Sequence, residues 1–377
     1  MLLPSPRRPS RRSFLGLCLA ASSSCRPRRA PALEAYAFIA NQESRTIAVL
    51  DLSTFHVIRQ IALDSPPTAL LSHPSQRLFY AIASQSGHLF EIDSETLMVR
   101  RQARTYGDLV AVQMARSRQE LWLLSRQHRR LVRLSLNELR PRAVWPLEAE
   151  PTGFATAPWF PFSALAYGEA GEVQLFDERT GTFGPRSRIG QQLGACTFRS
   201  DGKALLAADR GANRLAVLEA PTLRPIAYLP LSLRPDFLCF NRDQGQLFIT
   251  GEGRDAVAVV YPHYIPAIAE TTLAGRYPGP MAASENYLFI ANPKTSDVTI
   301  LDIDTRRVAA VATVGAEPWH IAITPGDEYA LVLNRASGDV AVIRIHQRMS
   351  NRRKTAALFT MVRVGARPVA ALIQPTV

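Results

Sequence analysis

Short apolar runs separated by polar turns recur along nearly the whole chain. Residues 38–40 are apolar and end at Asn41, a polar turn follows, and residues 47–50 are apolar again and end at Asp51. Runs this short, bounded by Asn, Asp, Ser or Gly, are typical of β-strands. Both alternating sets of positions are apolar, as in residues 329–333, so both faces of each sheet must be covered.

The last residues of the second apolar runs are regularly spaced along the sequence. These ends are Asp51, Asp93, Ser135, Asp177, Glu219, Tyr261, Asp302 and Arg344. Successive ends lie 42 residues apart, apart from one interval of 41. Within a copy, a proline or small residue opens a further strand, as in residues 318–323, and a fourth strand follows the repeated end, as in residues 307–315. Four short strands in each repeat describe one blade of a β-propeller.

The two ends of the repeat array complement each other. The first copy starts at Ala35 and lacks the proline-led strand, whereas a spare strand of this kind, residues 367–373, follows the eighth copy. We therefore predict an all-β, eight-bladed β-propeller that closes when the C-terminal strand joins the first blade as its innermost strand, leaving no long exposed sheet edge. Seven blades, with one degenerate copy outside the ring, is the alternative. The eighth copy also predicts a basic loop over residues 346–354 on the outer rim.

The repeats resemble the YVTN-type β-propeller repeat. Residues 38–41 with 47–51, and residues 289–292 with 298–302, are similar to its Tyr-Val-Thr-Asn strand and the Val-x-Val-Ile-Asp strand after it. The third and fourth copies depart most from this motif. The resemblance implies an architecture and no particular chemistry. Relatives with similar repeats include lactonases and the domain that binds haem d1, and the family includes exported bacterial proteins.

An export signal is predicted over residues 1–30, ahead of a single propeller domain over residues 31–377. An arginine-rich opening, the apolar residues 14–21 and three serines follow one another in the order of a secretory signal. Residues 10–13, Ser-Arg-Arg-Ser, resemble a twin-arginine signal, and an ordinary secretory signal is the alternative. Cys25 is a candidate lipidation site, although the usual leucine three residues before it is missing. We expect a periplasmic or extracellular protein, membrane-anchored if Cys25 is acylated.

Charge and cysteine content exclude several classes of protein. The formal net charge is +12, but seven arginines precede the first acid, Glu34, and only three of the 44 basic residues are lysines. We read the further arginines of the second and third copies as a solvated face, and we do not expect a nucleic-acid partner in an exported protein. Past the leader only Cys196 and Cys239 remain, and the absence of CxxC excludes a zinc ribbon and covalent c-type haem.

The mouth of the central channel is the predicted ligand site. Propellers bind ligands where the loops that lead into the innermost strands converge. The candidate ligand-binding residues at these loops are His320, Trp319, Asp236, Arg234, Asp108 and Arg367, with Thr68 and Thr152 beside them. A ring of Asp, Arg, Trp and His suits an anionic or planar ligand.

The histidines do not predict a metal site. His320 is the only one of the seven histidines at the start of an innermost strand, whereas a protein metal site needs several converging ligands. One histidine is enough for an axial haem ligand, so haem d1 is the alternative to having no cofactor. The repeated acids Asp51, Asp93, Asp177 and Asp302 are predicted to accept hydrogen bonds from the turns that follow them.

No enzyme motif occurs in the chain. GxSxG, HExxH, phosphate-binding glycine loops and dinucleotide fingerprints are absent, and the catalytic residues, if any, are unknown. We therefore expect an exported, monomeric binding or scaffolding module whose unknown ligand or protein partner sits at the channel mouth. A lactonase-like hydrolase and a haem d1-binding protein are the alternatives.

Overall fold

The computed structural model describes residues 33–263, 266–345 and 358–376. The predicted export signal, Cys25 and the basic loop over residues 346–354 lie outside the described residues. The one helical element in the described part of the chain is a 3₁₀ turn, Pro325–Asp327. No helix within these ranges has the length and apolar composition needed to cross a membrane.

The described residues form 32 β-strands. The first sixteen are β1 (Ala35–Asn41), β2 (Thr46–Asp51), β3 (His56–Ala62), β4 (Ala69–Ser72), β5 (Leu78–Ala83), β6 (His88–Asp93), β7 (Met98–Arg104), β8 (Leu109–Met114), β9 (Glu120–Ser125), β10 (Arg130–Ser135), β11 (Arg140–Pro146), β12 (Gly153–Thr156), β13 (Phe162–Tyr167), β14 (Glu172–Asp177), β15 (Thr182–Arg188) and β16 (Leu193–Phe198). The others are β17 (Ala204–Asp209), β18 (Arg214–Glu219), β19 (Pro225–Pro230), β20 (Phe237–Phe240), β21 (Leu247–Thr250), β22 (Ala256–Tyr261), β23 (Ala267–Leu273), β24 (Met281–Ala283), β25 (Tyr287–Asn292), β26 (Asp297–Asp302), β27 (Val308–Thr313), β28 (Pro318–Ile323), β29 (Tyr329–Asn334), β30 (Asp339–Arg344), β31 (Leu358–Arg363) and β32 (Pro368–Pro375).

The strands form eight four-stranded antiparallel sheets, which confirms the eight-bladed propeller; the seven-bladed alternative is wrong. Blade 2 contains β4 to β7, and each following set of four strands forms the next blade up to β28 to β31 in blade 8. The third strand of every blade ends at the residue that the repeat predicts, from Asp51 in blade 1 to Arg344 in blade 8.

Blade 1 is closed by the other end of the chain, as predicted. Its strand order is β3, β2, β1, β32, so β32 is the innermost strand. β32 runs antiparallel to β1, with Tyr36 opposite Gln374 and Phe38 opposite Leu372. A register shift between Ala40 and Asn41 ends the regular pairing.

The core lies between neighbouring blades, because both faces of the second and third strands are apolar. All six residues of β5 are buried. Phe38 of blade 1 and Phe79 of blade 2 contact each other with ring centroids 4.2 Å apart. The outermost strands are largely exposed, as β7 shows. Full burial of one phenylalanine side chain stabilises the fold by about 1.5–3 kcal/mol, so these interfaces hold the ring together.

The repeated acids cap the turns that follow them. Oδ1 of Asp93 accepts hydrogen bonds from the amides of Glu95 and Thr96, each 2.9 Å long. The hydrogen bond from the Thr96 amide, partly offset by burial, lowers the pKa of Asp93. Asp177 accepts from its turn in the same way. Equivalent bonds at Asp51 and Asp302 show that this position is structural in four blades.

The asparagine at the end of β1 ties blade 1 to blade 8. Nδ2 of Asn41 donates to the carbonyl oxygen of Val364, 2.9 Å away, just past the outermost strand of blade 8. Gly365, with φ of +144°, lies against this amide, and a Cβ there would be 2.6 Å from Asn41 Nδ2. A side chain at position 365 would therefore separate the two blades. Asn292 and Asn334 are buried at the same place in blades 7 and 8.

Candidate functional site

Two sets of loops meet at one face of the ring, which we call the upper face. Because the strands of a blade alternate in direction, the loops leading into the innermost strands lie at the same end as the turns between the second and third strands. Only the first set was predicted from the sequence to form the site. Both sets contribute to the site.

A large cavity opens at the upper face, and we call it the main cavity. Its volume is about 1410 Å³. Loops, turns and innermost-strand residues of blades 3 to 7 line it, together with Trp319 of blade 8, so it covers one side of the ring. Its charged lining residues are Arg126, Glu169, Arg210, Asp236, Glu252, Arg254, Asp255, Arg276 and Lys294.

Asp236 joins two blades at the wall of the main cavity. Its Oδ1 lies 2.6 Å from Nε of Arg210, which belongs to the turn after β17, and 3.6 Å from Nε of Arg234. Its Oδ2 accepts a hydrogen bond from the Glu252 amide at 3.2 Å. Arg234 in turn pairs with Glu252 through a 3.1 Å contact. The carboxylate is thus held by positive groups and an amide, which fixes the wall and leaves it little freedom to move.

Asp108 acts through a neighbouring arginine. Arg126 donates two hydrogen bonds of 3.0 Å to its two carboxylate oxygens. The hydrogen bond to Asp108 and the negative charge of that residue raise the pKa of Arg126. Arg126 lines the main cavity and Asp108 does not, so Asp108 positions the cation that faces the ligand space.

Three cations on blades 6 and 7 form the other edge of the main cavity, and we call them the cationic rim. They are Arg254 in the turn after β21, Arg276 in the loop after β23 and Lys294 in the turn after β25, and all three are exposed. Lys294 Nζ lies 4.0 Å from the ring centroid of Tyr277. Within the described ranges none of the three has an ion-pair partner.

The acids of this edge are engaged by other groups. Glu252 pairs with Arg234. Asp255 accepts a 3.0 Å hydrogen bond from the amide of Tyr277. Neither acid forms an ion pair with Arg254, Arg276 or Lys294 in the described residues, so the three cations can still attract an anion.

Trp319 reaches across the channel from blade 8 to blade 6. Its ring meets that of Phe237 edge-on, with centroids 5.9 Å apart. The guanidinium of Arg335 lies over the same indole at 3.9 Å. An indole held between a cation and a second ring is a rigid aromatic surface beside the ligand space.

Two of the predicted residues, His320 and Arg367, do not line the main cavity. His320 is half-buried on β28, and burial together with the positive charge of Arg335 lowers its pKa to about 4. Arg367 lines a smaller cleft of about 520 Å³ where blade 8 meets blade 1, which we call the seam cleft. Of the two threonines, Thr152 lines the main cavity, and Thr68 donates to the carbonyl of Ile82.

The described part of the chain contains two cysteines, one of them at the main cavity. Cys196 lines the main cavity, but burial raises the pKa of its thiol to about 12. Cys196 and Cys239 are both free. Among the residues that the structure describes, no group of three or more His, Cys, Asp or Glu side chains could hold a metal ion.

Sequence reasoning missed half of the cavity wall. Arg126, Glu169, Arg210, Arg254 and Lys294 all belong to turns between second and third strands. The signal was available, since these turns follow the repeated apolar run that ends at Asn41 in the first copy. Strand alternation places those turns at the same end of the ring as the predicted loops.

The sequence matches no protein-family model and no curated protein, so the resemblance to the YVTN-type repeat stays a prediction. Solved β-propellers are similar in structure. Dihydro-heme d1 dehydrogenase NirN, solved in complex with DHE, has a TM-score of 0.73 and is 18% identical, and the match covers 92% of this chain and 76% of that one. Apo AztD from Citrobacter koseri has a TM-score of 0.68 and is 10% identical, with 90% and 97% covered.

A third similar structure comes from Bacteroides uniformis ATCC 8492, and its assignment as a 6-phosphogluconolactonase is provisional. Its TM-score is 0.58 at 15% identity, with 90% of this chain and 100% of that chain covered. Identities this low show the fold and nothing finer. The comparisons and the sheet topology therefore agree on one conclusion: the chain is a β-propeller.

Proposed function

We propose that the protein is a binding module that holds an anionic, planar ligand in the main cavity. The cationic rim carries this proposal, because Arg254, Arg276 and Lys294 face the cavity without an acid partner in the described part of the chain. Cations in a cavity bind carboxylate or phosphate groups, and the Trp319 indole offers a surface for a flat ring. Arg126, oriented by Asp108, adds a cation on the opposite side.

The size of the main cavity favours a macrocycle over a small metabolite. Its volume of about 1410 Å³ exceeds the range of roughly 300–1,000 Å³ that is usual for small-molecule sites. A tetrapyrrole with several carboxylate side chains combines a large plane with distributed negative charge. The similarity in fold to NirN, solved in complex with DHE, supports this class.

The haem d1 form of this proposal agrees with the volume and the cationic rim of the main cavity but not with iron ligation by His320. Among the described residues no histidine lines the main cavity, and His320 lies outside it. We therefore assign the cationic rim and Trp319 to binding of the macrocycle and assign no iron ligand.

Titration with a synthetic tetracarboxyphenyl porphyrin tests the proposal. We expect saturable binding, followed by tryptophan fluorescence and porphyrin absorbance, and no comparable binding of a tetracationic porphyrin with the same plane. Changing Arg254, Arg276 and Lys294 together to Gln should weaken binding by about ten-fold or more. The matched control changes three exposed arginines of outer strands, Arg100, Arg104 and Arg140, to Gln.

Three results would contradict the binding proposal. The first is equal binding of the two porphyrins, and the second is an equal loss of affinity in the rim and control variants. The third is lactone hydrolysis that survives purification and disappears in Asp236→Ala, which would favour the lactonase-like hydrolase. Arg210→Ala removes an ion-pair partner of Asp236 but keeps the carboxylate. Hydrolysis that persists in Arg210→Ala and is lost in Asp236→Ala would assign a catalytic role to Asp236, whereas equal loss in both variants would assign a structural one.

We further propose that the protein works in the periplasm or at the cell surface. The leader over residues 1–30 supports this, with Arg11 and Arg12 in a twin-arginine-like context. Changing both arginines to lysine should retain an uncleaved precursor in the cytoplasm, detected by fractionation and mass spectrometry. Mass spectrometry of the mature N-terminus also decides whether Cys25 is acylated. Export that is unchanged in this variant would exclude the twin-arginine route.

A further inference from the structure

The seam cleft collects arginines from both sides of the ring closure. Arg335 comes from the turn after β29, Arg363 ends β31, and Arg367 precedes β32. Blade 1 contributes Glu43 and Gln60 to the opposite wall. The cleft lies on the upper face and is separate from the cationic rim.

The charged side chains of the seam cleft are not balanced. Three arginines face one acid, Glu43. Arg367 Nη1 lies 3.7 Å from Glu43 Oε1, and both side chains are more than 40% exposed, so this pair contributes little. Arg335 and Arg363 have no ion-pair partner in the described residues. The lining therefore carries a net charge of +2.

Arg335 carries the strongest sign of a missing partner. Its Nε is buried and has no hydrogen-bond acceptor in the described residues. Burial and the positive charge of Arg367 lower the pKa of Arg335 to about 10, and Glu317 offsets this only in part. A buried donor without an acceptor is unfavourable, and so are two like charges held close together. A bound anion would offset the repulsion between Arg335 and Arg367.

Two donors of the cleft, Arg335 and Ser337, are already oriented. The Arg335 guanidinium stacks on the Trp319 indole at 3.9 Å, which fixes its plane. Ser337 accepts a 3.0 Å hydrogen bond from the amide of Ala316, which leaves its hydroxyl proton for a further acceptor. Planar guanidinium forks match the oxygens of phosphate, and little side-chain freedom remains to be lost on binding.

We propose that the seam cleft is an oxyanion site that binds a phosphate-class dianion through Arg335, Arg363 and Arg367. A dianion neutralises the net charge of the lining. The anion joins blade 8, the segment before β32 and blade 1, so it stabilises the closed ring. An anion that binds only the folded state raises the free energy of unfolding by RT ln(1 + L/Kd), where L is the free anion concentration, and so raises the unfolding temperature.

The test is a phosphate titration of the full chain at about pH 8 and constant ionic strength, with potassium chloride as the compensating salt. Isothermal titration calorimetry should show saturable binding of inorganic phosphate, and the unfolding temperature should rise with the logarithm of the phosphate concentration once this exceeds Kd. Arg335→Gln and Arg367→Gln should each weaken it by about ten-fold or more. Arg59→Gln makes the same charge change at an exposed residue of β3 outside the cleft and should leave binding unchanged. Arg363→Gln, at an exposed strand end, serves if the Arg335 variant does not fold.

Two further measurements identify the class of anion and distinguish the seam cleft from the main cavity. Glycerol phosphate that binds at least as well as inorganic phosphate would indicate a phosphate ester as the natural ligand, whereas inorganic phosphate alone would indicate the free ion. The variant without the cationic rim should keep the phosphate response, which separates this site from the main cavity. The proposal is overturned if phosphate stabilises no more than chloride, if acetate binds as tightly, or if Arg59→Gln loses as much affinity as Arg335→Gln.

Discussion

His320 makes the stability of the folded protein depend on pH in one direction. Burial and the charge of Arg335 lower its pKa from 6.5 to about 4. Between these values the unfolded chain binds a proton that the folded chain does not. Stability from the neutral imidazole is therefore fully present above about pH 6.5 and is lost as the pH falls toward 4.

The size of the effect follows from the two pKa values. At pH values between the two pKa values, each pH unit changes the free energy of unfolding by about 1.4 kcal/mol. Linkage from a pKa of 6.5 unfolded and about 4 folded gives a loss of about 2 kcal/mol in the free energy of unfolding between about pH 7 and pH 5. This window avoids most carboxylate titration.

Urea denaturation at about pH 7, 6 and 5 measures this loss in the native protein and in His320→Gln. The glutamine variant does not titrate and should lose about 2 kcal/mol less over the same window. Other groups, including His73 with its lowered pKa, are common to both proteins and cancel in the difference. Arg335→Gln should reduce the dependence in part, since it removes one of the two causes. Equal losses in the native protein and His320→Gln would refute the assignment.

Three further predictions follow from the closure and the core. Asn334 Nδ2 donates to Asp339 at 2.7 Å, and Asn334→Ala should lower the free energy of unfolding by about 1–3 kcal/mol, whereas the exposed Asn137→Ala should not, as urea denaturation will show. Deleting residues 368–377 removes β32 and exposes the edge of β1, so light scattering should detect association; a cooperative monomer would contradict this. Burial raises the thiol pKa of Cys196 to about 12 and of Cys239 to about 11, so iodoacetamide at about pH 8 should label neither until the protein is denatured, as peptide mass spectrometry can test.

The architecture was predictable because each blade corresponds to one copy of a repeated pattern of apolar runs and polar turns. Eight strand ends from Asp51 to Arg344 fall where the repeat predicts them. The pairing of β1 with β32 was predictable for the same reason, since the missing strand of the first copy and the spare strand after the eighth share one register. Strands such as β5 are buried on both faces, as their apolar residues at both odd and even positions predict.

The candidate site was predictable only in part, because it depends on departures from the repeat. Trp319 and Asp236 line the main cavity as expected, but His320, next to Trp319 in the chain, does not. The register shift between Pro318 and His320 alters strand alternation at this point, and no sequence pattern announces it. The stacking of Arg335 on Trp319 joins residues of different strands through side-chain packing. Repeat spacing fixes where such residues sit and leaves open which way each side chain turns.

Ring closure sets the order in which a newly made chain can finish folding. β32 leaves the ribosome after the other 31 strands, so β1 emerges long before its inner partner exists. Blades 2 to 8 are contiguous in sequence and can assemble one after another, while the ring stays open. A nascent or prematurely terminated chain therefore exposes the unpaired edge of β1, which can pair with a strand of another chain. Pairing of β32 with β1 completes blade 1 and removes this edge.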